Sequence, residues 1–261
     1  MIFKLSIEVS IGAMAGLFFA ANVCAVFLPW PFYLGLFSLV AVIYNADHWA
    51  DFSYSRSGQA RREISDSEKK IYLFYLFLNI LILIPCLILI LLDLSLFEFL
   101  ILTIPGTLTA VHLLIARRPW YLIKELMIAI LYAVALWLLP VLRSTESFPL
   151  HFFILHLMVI LQNLFCISYL DYRMDKEDRF PGLNSILSQE NIRVLVYTNT
   201  FAGLLFIFSY SIVGSTGFTA GVVFSVLLLF PLASLTENNF PLNSTLFRSI
   251  SDLIFVLLVL I

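Results

Sequence analysis

Residues 71–92 read IYLFYLFLNILILIPCLILILL, and no charged side chain interrupts them. At 1.5 Å per residue a helix of this length crosses the ~30 Å hydrocarbon core of a bilayer. The rest of the chain agrees with that reading. It is 61% hydrophobic and 12% charged over 261 residues, where a soluble domain carries roughly 25% charged residues. Mean hydropathy is +0.99. A soluble fold of this size cannot hide so much apolar surface, whereas a bilayer removes the need to hide it. The net charge of -2 provides no field that would attract nucleic acid.

Working outward on the same rule, helices are expected near 7–28, 31–47, 71–92, 97–116, 120–142, 149–170, 193–213, 217–235 and 247–261. The expected fold is all-α: a polytopic membrane bundle of about nine transmembrane helices around a central cavity, in one domain spanning 1–261. The run 7–28 is long enough to be a first span rather than a cleaved leader. Pro29 and Pro31 punctuate the first turn, and Pro105 and Pro140 are expected to kink or end their helices. Two connections are long and polar, Asp47 to Lys70 and Asp171 to Arg193. Cys24, Cys86 and Cys166 sit in apolar runs without metal-ligand spacing and read as packing residues.

The basic residues set an expected orientation. With the N-terminus cytoplasmic, one side holds Lys4, Arg56, Arg61, Arg62, Lys69, Lys70, Arg117, Arg118, Lys124, Arg173, Lys176, Arg179, Arg193 and Arg248. The other side holds only Arg143, so 14 of the 15 lie on one side. A miscount of one helix in the middle would scramble that partition. The bias therefore predicts a cytoplasmic N-terminus and an inner or plasma membrane location.

The same side carries the unusual acids. Asp47 and Asp51 follow Tyr44-Asn45-Ala46 at the end of the second run, and Asp171, Asp175 and Asp178 end the sixth. The i, i+4 spacing puts two carboxylates one turn apart on one helix face, where they repel. Acids at a helix C-terminus also oppose the macrodipole. Local rules broken twice at matched helix ends point to function. A divalent cation relieves the repulsion, because Mg²⁺ binds through one or two carboxylates plus substrate phosphates. Arg56, Arg61, Arg117 and Arg118 add groups suited to clamping phosphate, besides anchoring the chain at the membrane surface.

This pattern resembles the UbiA superfamily of intramembrane prenyltransferases. That family's first motif reads N-D-x-x-D-x-x-x-D followed by a basic segment. Asp47 and Asp51 match its last two aspartates, and Arg56 and Arg61 match the basic positions. Its leading Asn and Asp fall on Ile43 and Tyr44, with Asn45 nearby. Asp171, Asp175, Glu177, Asp178, Gly182 and Ser185 follow the order of the second motif, and Asn184 lies near its usual lysine. His112, Arg117 and Arg118 resemble the aromatic and Lys-Arg positions before helix 5. The resemblance implies Mg²⁺ held by Asp47, Asp51, Asp171 and Asp175 as the catalytic residues. It implies diphosphate binding by Asn45, Arg56, Arg61, Arg117, Arg118 and Asp178. The implied partners are an isoprenoid diphosphate donor and a hydrophobic acceptor: a phenol, a quinone precursor or a lipid alcohol.

A different class of reading is a non-catalytic or transport protein on the same scaffold that has lost part of the first motif, since intramembrane carboxylates also serve ion pathways. His151 and His156 read as interfacial residues. Gln162 and Asn163, inside the sixth run, read as hydrogen-bonding partners across the bundle. There is no G-x-x-x-x-G-K-[ST], H-E-x-x-H or G-x-S-x-G, so nucleotide hydrolysis, zinc proteolysis and serine hydrolysis have no motif to stand on.

Overall fold

A computed structural model of the chain describes residues 7–54, 66–115, 124–178, 182–211, 215–235 and 250–261. Helix takes 91% and there is no strand among the described residues, so the all-α class holds. The helices are α1 (Ile7–Val23), α2 (Trp30–Tyr54), α3 (Asp66–Asp93), α4 (Leu96–Ile115), α5 (Lys124–Arg143), α6 (Leu150–Asp178), the single turn α7 (Leu183–Ile186), α8 (Gln189–Ser211) and α9 (Ser215–Leu229). A 3₁₀ stretch continues α9 over Phe230–Leu235, and a C-terminal helix covers Ile250–Leu260. Four segments are long and apolar enough to cross a bilayer: Lys70–Asp93, Lys124–Arg143, Leu150–Tyr172 and Gln189–Ser209. The apolar segments Ile7–Val23, Trp30–Ala46, Leu96–His112, Thr219–Leu232 and Ile250–Leu260 are shorter.

Several ends differ from the sequence expectation. The first helix stops at Val23 rather than 28. Ala25 takes a left-handed φ of 52°, and the Val26 N–H donates to Ala21 O at 2.9 Å while the Ala25 N–H donates to Asn22 O at 3.0 Å. This is a Schellman stop, with alanine where glycine usually sits. In the other direction, α2 continues to Tyr54 and α6 to Asp178. The acids at 47, 51, 171 and 175 therefore ride on helix instead of opening the long loops. Pro105 and Pro140 lie inside α4 and α5 and end neither.

Helix α1 is the hub, packed against α2, α5 and the C-terminal helix. Its buried face is rich in small residues: Gly12, Ala13, Ala15, Gly16, Ala20 and Ala21. Small residues let helix backbones approach where no water drives them together. A Cβ on Gly12 would lie 2.9 Å from Asp252 O, and one on Gly16 would lie 2.8 Å from Leu136 Cδ1. Helix α6 closes the other half of the core against α5, α8 and α9. Gln162 on α6 is fully buried. Its Nε2 donates to Thr200 Oγ1 at 2.6 Å and to Leu228 O at 3.3 Å, while Asn199 Nδ2 donates to its Oε1 at 2.8 Å. These bonds tie α6 to α8 and α9, the packing role expected of Gln162.

His156 is not interfacial. It is fully buried, and Trp137 Nε1 donates to its Nδ1 at 3.0 Å. Phe19 meets Trp137, His156, Phe152 and Phe224 edge-on at 5.6 to 5.9 Å. The contacts from α1 and α5 turn a nominal surface position into core.

Helix α3 packs on α2 through Tyr72, Asn79 and Cys86, all buried and seven apart, the spacing of a left-handed helix pair. Gly35 of α2 admits this approach: a Cβ there would lie 3.3 Å from Cys86 Cβ and 3.0 Å from Ile90 Cδ1. The outward face of α3 exposes Leu73, Phe74, Phe77, Leu81, Ile84 and Ile88.

One end of the bundle is organised by Arg143, at the end of α5. Its Nη1 pairs with Asp93 at the end of α3 at 2.8 Å, and its Nε pairs with Glu98 in the first turn of α4 at 2.6 Å. Its guanidinium lies 5.3 Å from the ring centre of Phe32, at the start of α2. Glu98 and Ser95 also cap α4 reciprocally, with Ser95 N–H and Oγ–H each donating to Glu98 Oε2 at 2.8 Å. Beside them Ser144 Oγ donates to Cys24 O at 2.8 Å. The ends of α1, α3 and α5 thus meet the starts of α2 and α4, as an up-and-down bundle requires. Arg143, the one basic residue that sequence assigns to this side, is neutralised where it stands. Arg143→Met is expected to cost about 3 kcal/mol, the penalty for stripping a largely buried charge of its partner. Asp93→Asn, with the Asp93 side chain 40% exposed, should cost under about 1 kcal/mol. Denaturant unfolding in detergent micelles checks both, and equal effects would contradict the assignment.

Candidate metal and diphosphate site

The second acidic motif occupies the last turns of α6. Asp171 and Asp175 stand four residues apart on continuous helix, so their side chains leave the same face about 6 Å apart along the axis. Asp171 is buried, at 4% exposure, and Asp175 is half-buried.

The segment after α6 folds back on this face. Gly182 has φ +146°, a value that L side chains rarely adopt, and a Cβ there would meet Glu125 Oε1 at 2.5 Å. The backbone conformation therefore calls for glycine at 182, and the lack of a Cβ lets the Glu125 carboxylate lie against it. The turn it opens, α7, is closed by Ser185, whose Oγ–H donates to Gly182 O at 2.6 Å. Its first residue, Leu183, donates its N–H to Glu125 Oε1 at 3.0 Å. Its second, the buried Asn184, donates Nδ2–H to Asp175 Oδ2 at 2.7 Å. Gly182 and Ser185, singled out from sequence by the order of the second motif, are thus the two residues that shape the turn.

Glu125 was not anticipated. In sequence it is an acid in the first turn of a helix, where acids commonly suit the dipole. In the structure it is half-buried and joins α5 to α7, with Ser168 Oγ at 3.5 Å from the same oxygen.

The remaining residues expected at the site divide into two groups. Asn45 on α2 is buried, and its Nδ2 donates to Ala41 O at 2.5 Å on its own helix. The backbones of Asp47 and Asp51 lie on α2 and that of Asp178 on α6, but their side chains lie outside the described residues. Arg56, Arg61, Arg117 and Arg118 also lie outside the described residues. Among the described residues, no three His, Cys, Asp or Glu side chains gather as a ligand set. Two of the four expected Mg²⁺ ligands, Asp47 and Asp51, do not enter that count.

The donors that are described suit a hard cation. Asp175 Oδ2 accepts from Asn184, and a carboxylate offers about four lone-pair sites in all. The carboxylates of Asp171 and Asp175 are the oxygen donors that Mg²⁺ takes, and beside them Asn184 Oδ1 and Glu125 Oε2 are buried with no hydrogen-bond partner among the described residues.

Two other features lie apart from these acids. A cavity of about 40 Å³ is lined by Val9, Gly12, Tyr44, Tyr132, Asn163 and Asp252 among others, which is room for about one water molecule. Asn163 Nδ2 donates to Asp252 Oδ1 across it at 2.7 Å. The cross-bundle role expected of Asn163 is thus seen, while its partner Asp252 was not anticipated. An open groove of about 650 Å³ lies at the Arg143 end, and Arg143, the cation lining it, is already paired with Asp93 and Glu98.

No family model, no curated protein and no solved structure matches the chain.

Proposed function

We propose that the protein is a Mg²⁺-dependent membrane prenyltransferase that moves an isoprenoid chain from a polyprenyl diphosphate to a hydrophobic acceptor. In this reading the five shorter apolar helices also span the bilayer, giving nine spans around a central cavity. The basic and acidic side faces the cytoplasm.

The observation that carries the reading is the continuation of α2 and α6 as helix through both aspartate pairs. Each pair is thereby held at one-turn spacing, the phase that a shared cation needs. The resemblance of the two motifs to the UbiA superfamily supplies the reaction class. Asp47, Asp51, Asp171 and Asp175 would hold the metal. When bound, the metal supplies positive charge that stabilises the departing diphosphate. Arg56, Arg61, Arg117 and Arg118 add fixed positive charge for the same anion, with Asn45 and Asp178 at its edge. The membrane helices keep the allylic carbon away from bulk water, so that the acceptor rather than water captures it. The isoprenoid tail stays in lipid, where it is already solvated.

The test is a panel. Purified protein, Mg²⁺ and polyprenyl diphosphates of increasing length are incubated with phenolic, quinone-precursor and lipid-alcohol acceptors. Diphosphate release that depends on both the metal and an acceptor is the expected result. No release with any pair would remove the enzyme reading.

One observation favours a second reading, a non-catalytic or transport protein on this scaffold. Asp252 and Asn163 form a polar contact beside a cavity within apolar helices, and carboxylates among membrane helices commonly mark ion or substrate paths. Flux into proteoliposomes without diphosphate release would select it.

A further inference from the structure

We propose that Glu125 is a positioning residue for Asp175, acting through the α7 turn. The inference rests on the reading of Asp175 as a Mg²⁺ ligand, and adds a residue on a different helix that neither aspartate motif contains.

Three links join the two carboxylates. Glu125 Oε1 accepts the Leu183 N–H at 3.0 Å. Leu183 is followed directly by Asn184. Asn184 Nδ2 donates to Asp175 Oδ2 at 2.7 Å. Both hydrogen bonds are short, and the first joins segments far apart in sequence, with Glu125 58 residues from Leu183. The turn has little stability of its own, because α7 is only four residues long and isolated helical turns are costly to form. It packs on α6 and α8 through Leu183, and two sets of hydrogen bonds add to that packing. One comes from Glu125. The other is the Gly182–Ser185 closure, in which Ser185 Oγ–H donates to Gly182 O and lies 3.4 Å from Gly182 N. The close fit of Gly182 against Glu125 Oε1 shows that the carboxylate and the turn share one surface.

The consequence lies in the orientation of Asp175. A carboxylate on the last turns of a helix has free rotamers unless a neighbour fixes it. Asn184 is one such neighbour, and Glu125 helps to hold Asn184 in reach. Partners in this outer position commonly alter metal affinity or activity by about 10–100-fold when removed. The structure also explains why asparagine serves here. Its amide donates to Asp175 without adding a charge of its own.

The test uses the full-length protein in detergent and two readouts: Mg²⁺ binding by titration calorimetry without substrate, and the Mg²⁺ dependence of diphosphate release. Glu125→Ala and Asn184→Leu are expected to weaken Mg²⁺ binding about 10-fold. They should raise the half-saturating Mg²⁺ by the same factor and leave the rate at saturating Mg²⁺ within about twofold. Glu125→Gln keeps an oxygen for the Leu183 N–H and should bind within about twofold of the unchanged protein.

A Gln variant as weak as the Ala variant would overturn the positioning role, because it would make Glu125 a direct ligand. Unchanged Mg²⁺ binding in both Glu125→Ala and Asn184→Leu would overturn it as well. If Glu125→Ala does not fold, Asn184→Leu, which leaves the Glu125 anchor in place, carries the test alone. A protein that binds Mg²⁺ with the predicted variant pattern yet releases no diphosphate would sink prenyl transfer and leave the positioning role standing. A protein that turns over with unshifted Mg²⁺ dependence in the variants would do the reverse.

Discussion

Asp175→Ala is expected to abolish Mg²⁺-dependent diphosphate release, with a fall of at least about 10³-fold, while the protein stays folded. Two circumstances set that size. The carboxylate is one of only four proposed for the metal, and the departing diphosphate depends on the charge that the metal brings. Loss of a single charge-stabilising group in a preorganised site costs about 10²–10³ on its own, and loss of a ligand also weakens the metal itself. Folding should survive, because Asp175 is half-buried near a helix end. Asp47→Ala is expected to match it, since the reading needs both pairs. A pyrophosphatase-coupled assay over a Mg²⁺ series reads the activity, and the thermal unfolding midpoint checks the fold. Activity retained in both variants would remove these aspartates from the metal site.

Trp137→Ala is expected to produce the largest loss of stability in the bundle, about 3–5 kcal/mol, the range for deleting a fully buried aromatic side chain. Trp137 is 1% exposed and belongs to the principal core. It meets Phe19 edge-on at 5.6 Å and Phe153 at 6.0 Å. It also gives the hydrogen bond to His156 Nδ1. His156 Nε2 is buried with no hydrogen-bond partner among the described residues, so removing the indole leaves both imidazole nitrogens without one. Trp137→Phe separates the two contributions: it keeps most of the packing and loses the donor, for about 1–3 kcal/mol. Unfolding in mixed micelles measures both. A Phe variant as unstable as the Ala variant would show that the hydrogen bond, rather than the volume, dominates.

The helices were legible because a bilayer imposes a composition as well as a length. Residues 71–92 carry no charge and are apolar apart from Asn79 and two tyrosines, and α3 covers all of them. Helix ends were less legible wherever helix and apolar run part company. The apolar run from Ile7 to Leu28 continues past the true end of α1, because Ala25 stops the helix by backbone conformation and changes no hydropathy. The reverse holds at Asp47 and Asp171. Charge ends the apolar run there, but the backbone hydrogen-bond ladder has no reason to stop, and α2 and α6 run on.

At the candidate site, the motif residues could be read from spacing, since i, i+4 acids stand out in an oily chain. Glu125 and Asp252 could not. Each is a single acid near the start of a helix, and its role arises from a partner far away in sequence: Leu183 for Glu125 and Asn163 for Asp252. His156 was misplaced for a related reason. Its depth depends on Gly16, an absent side chain whose Cβ would lie 3.0 Å from the imidazole Cε1.

Helix α3 carries a consequence for how the chain changes over generations. Only 11% of its strongest apolar window is buried, and its inward seam is Tyr72, Asn79 and Cys86. Lipid is an undemanding neighbour, satisfied by any oily side chain. Mutations on the outward face that exchange one aliphatic or aromatic residue for another should pass almost unselected. Across descendants α3 should therefore drift fastest in identity while hardly changing in character, with three slow positions seven apart marking where it leans on α2.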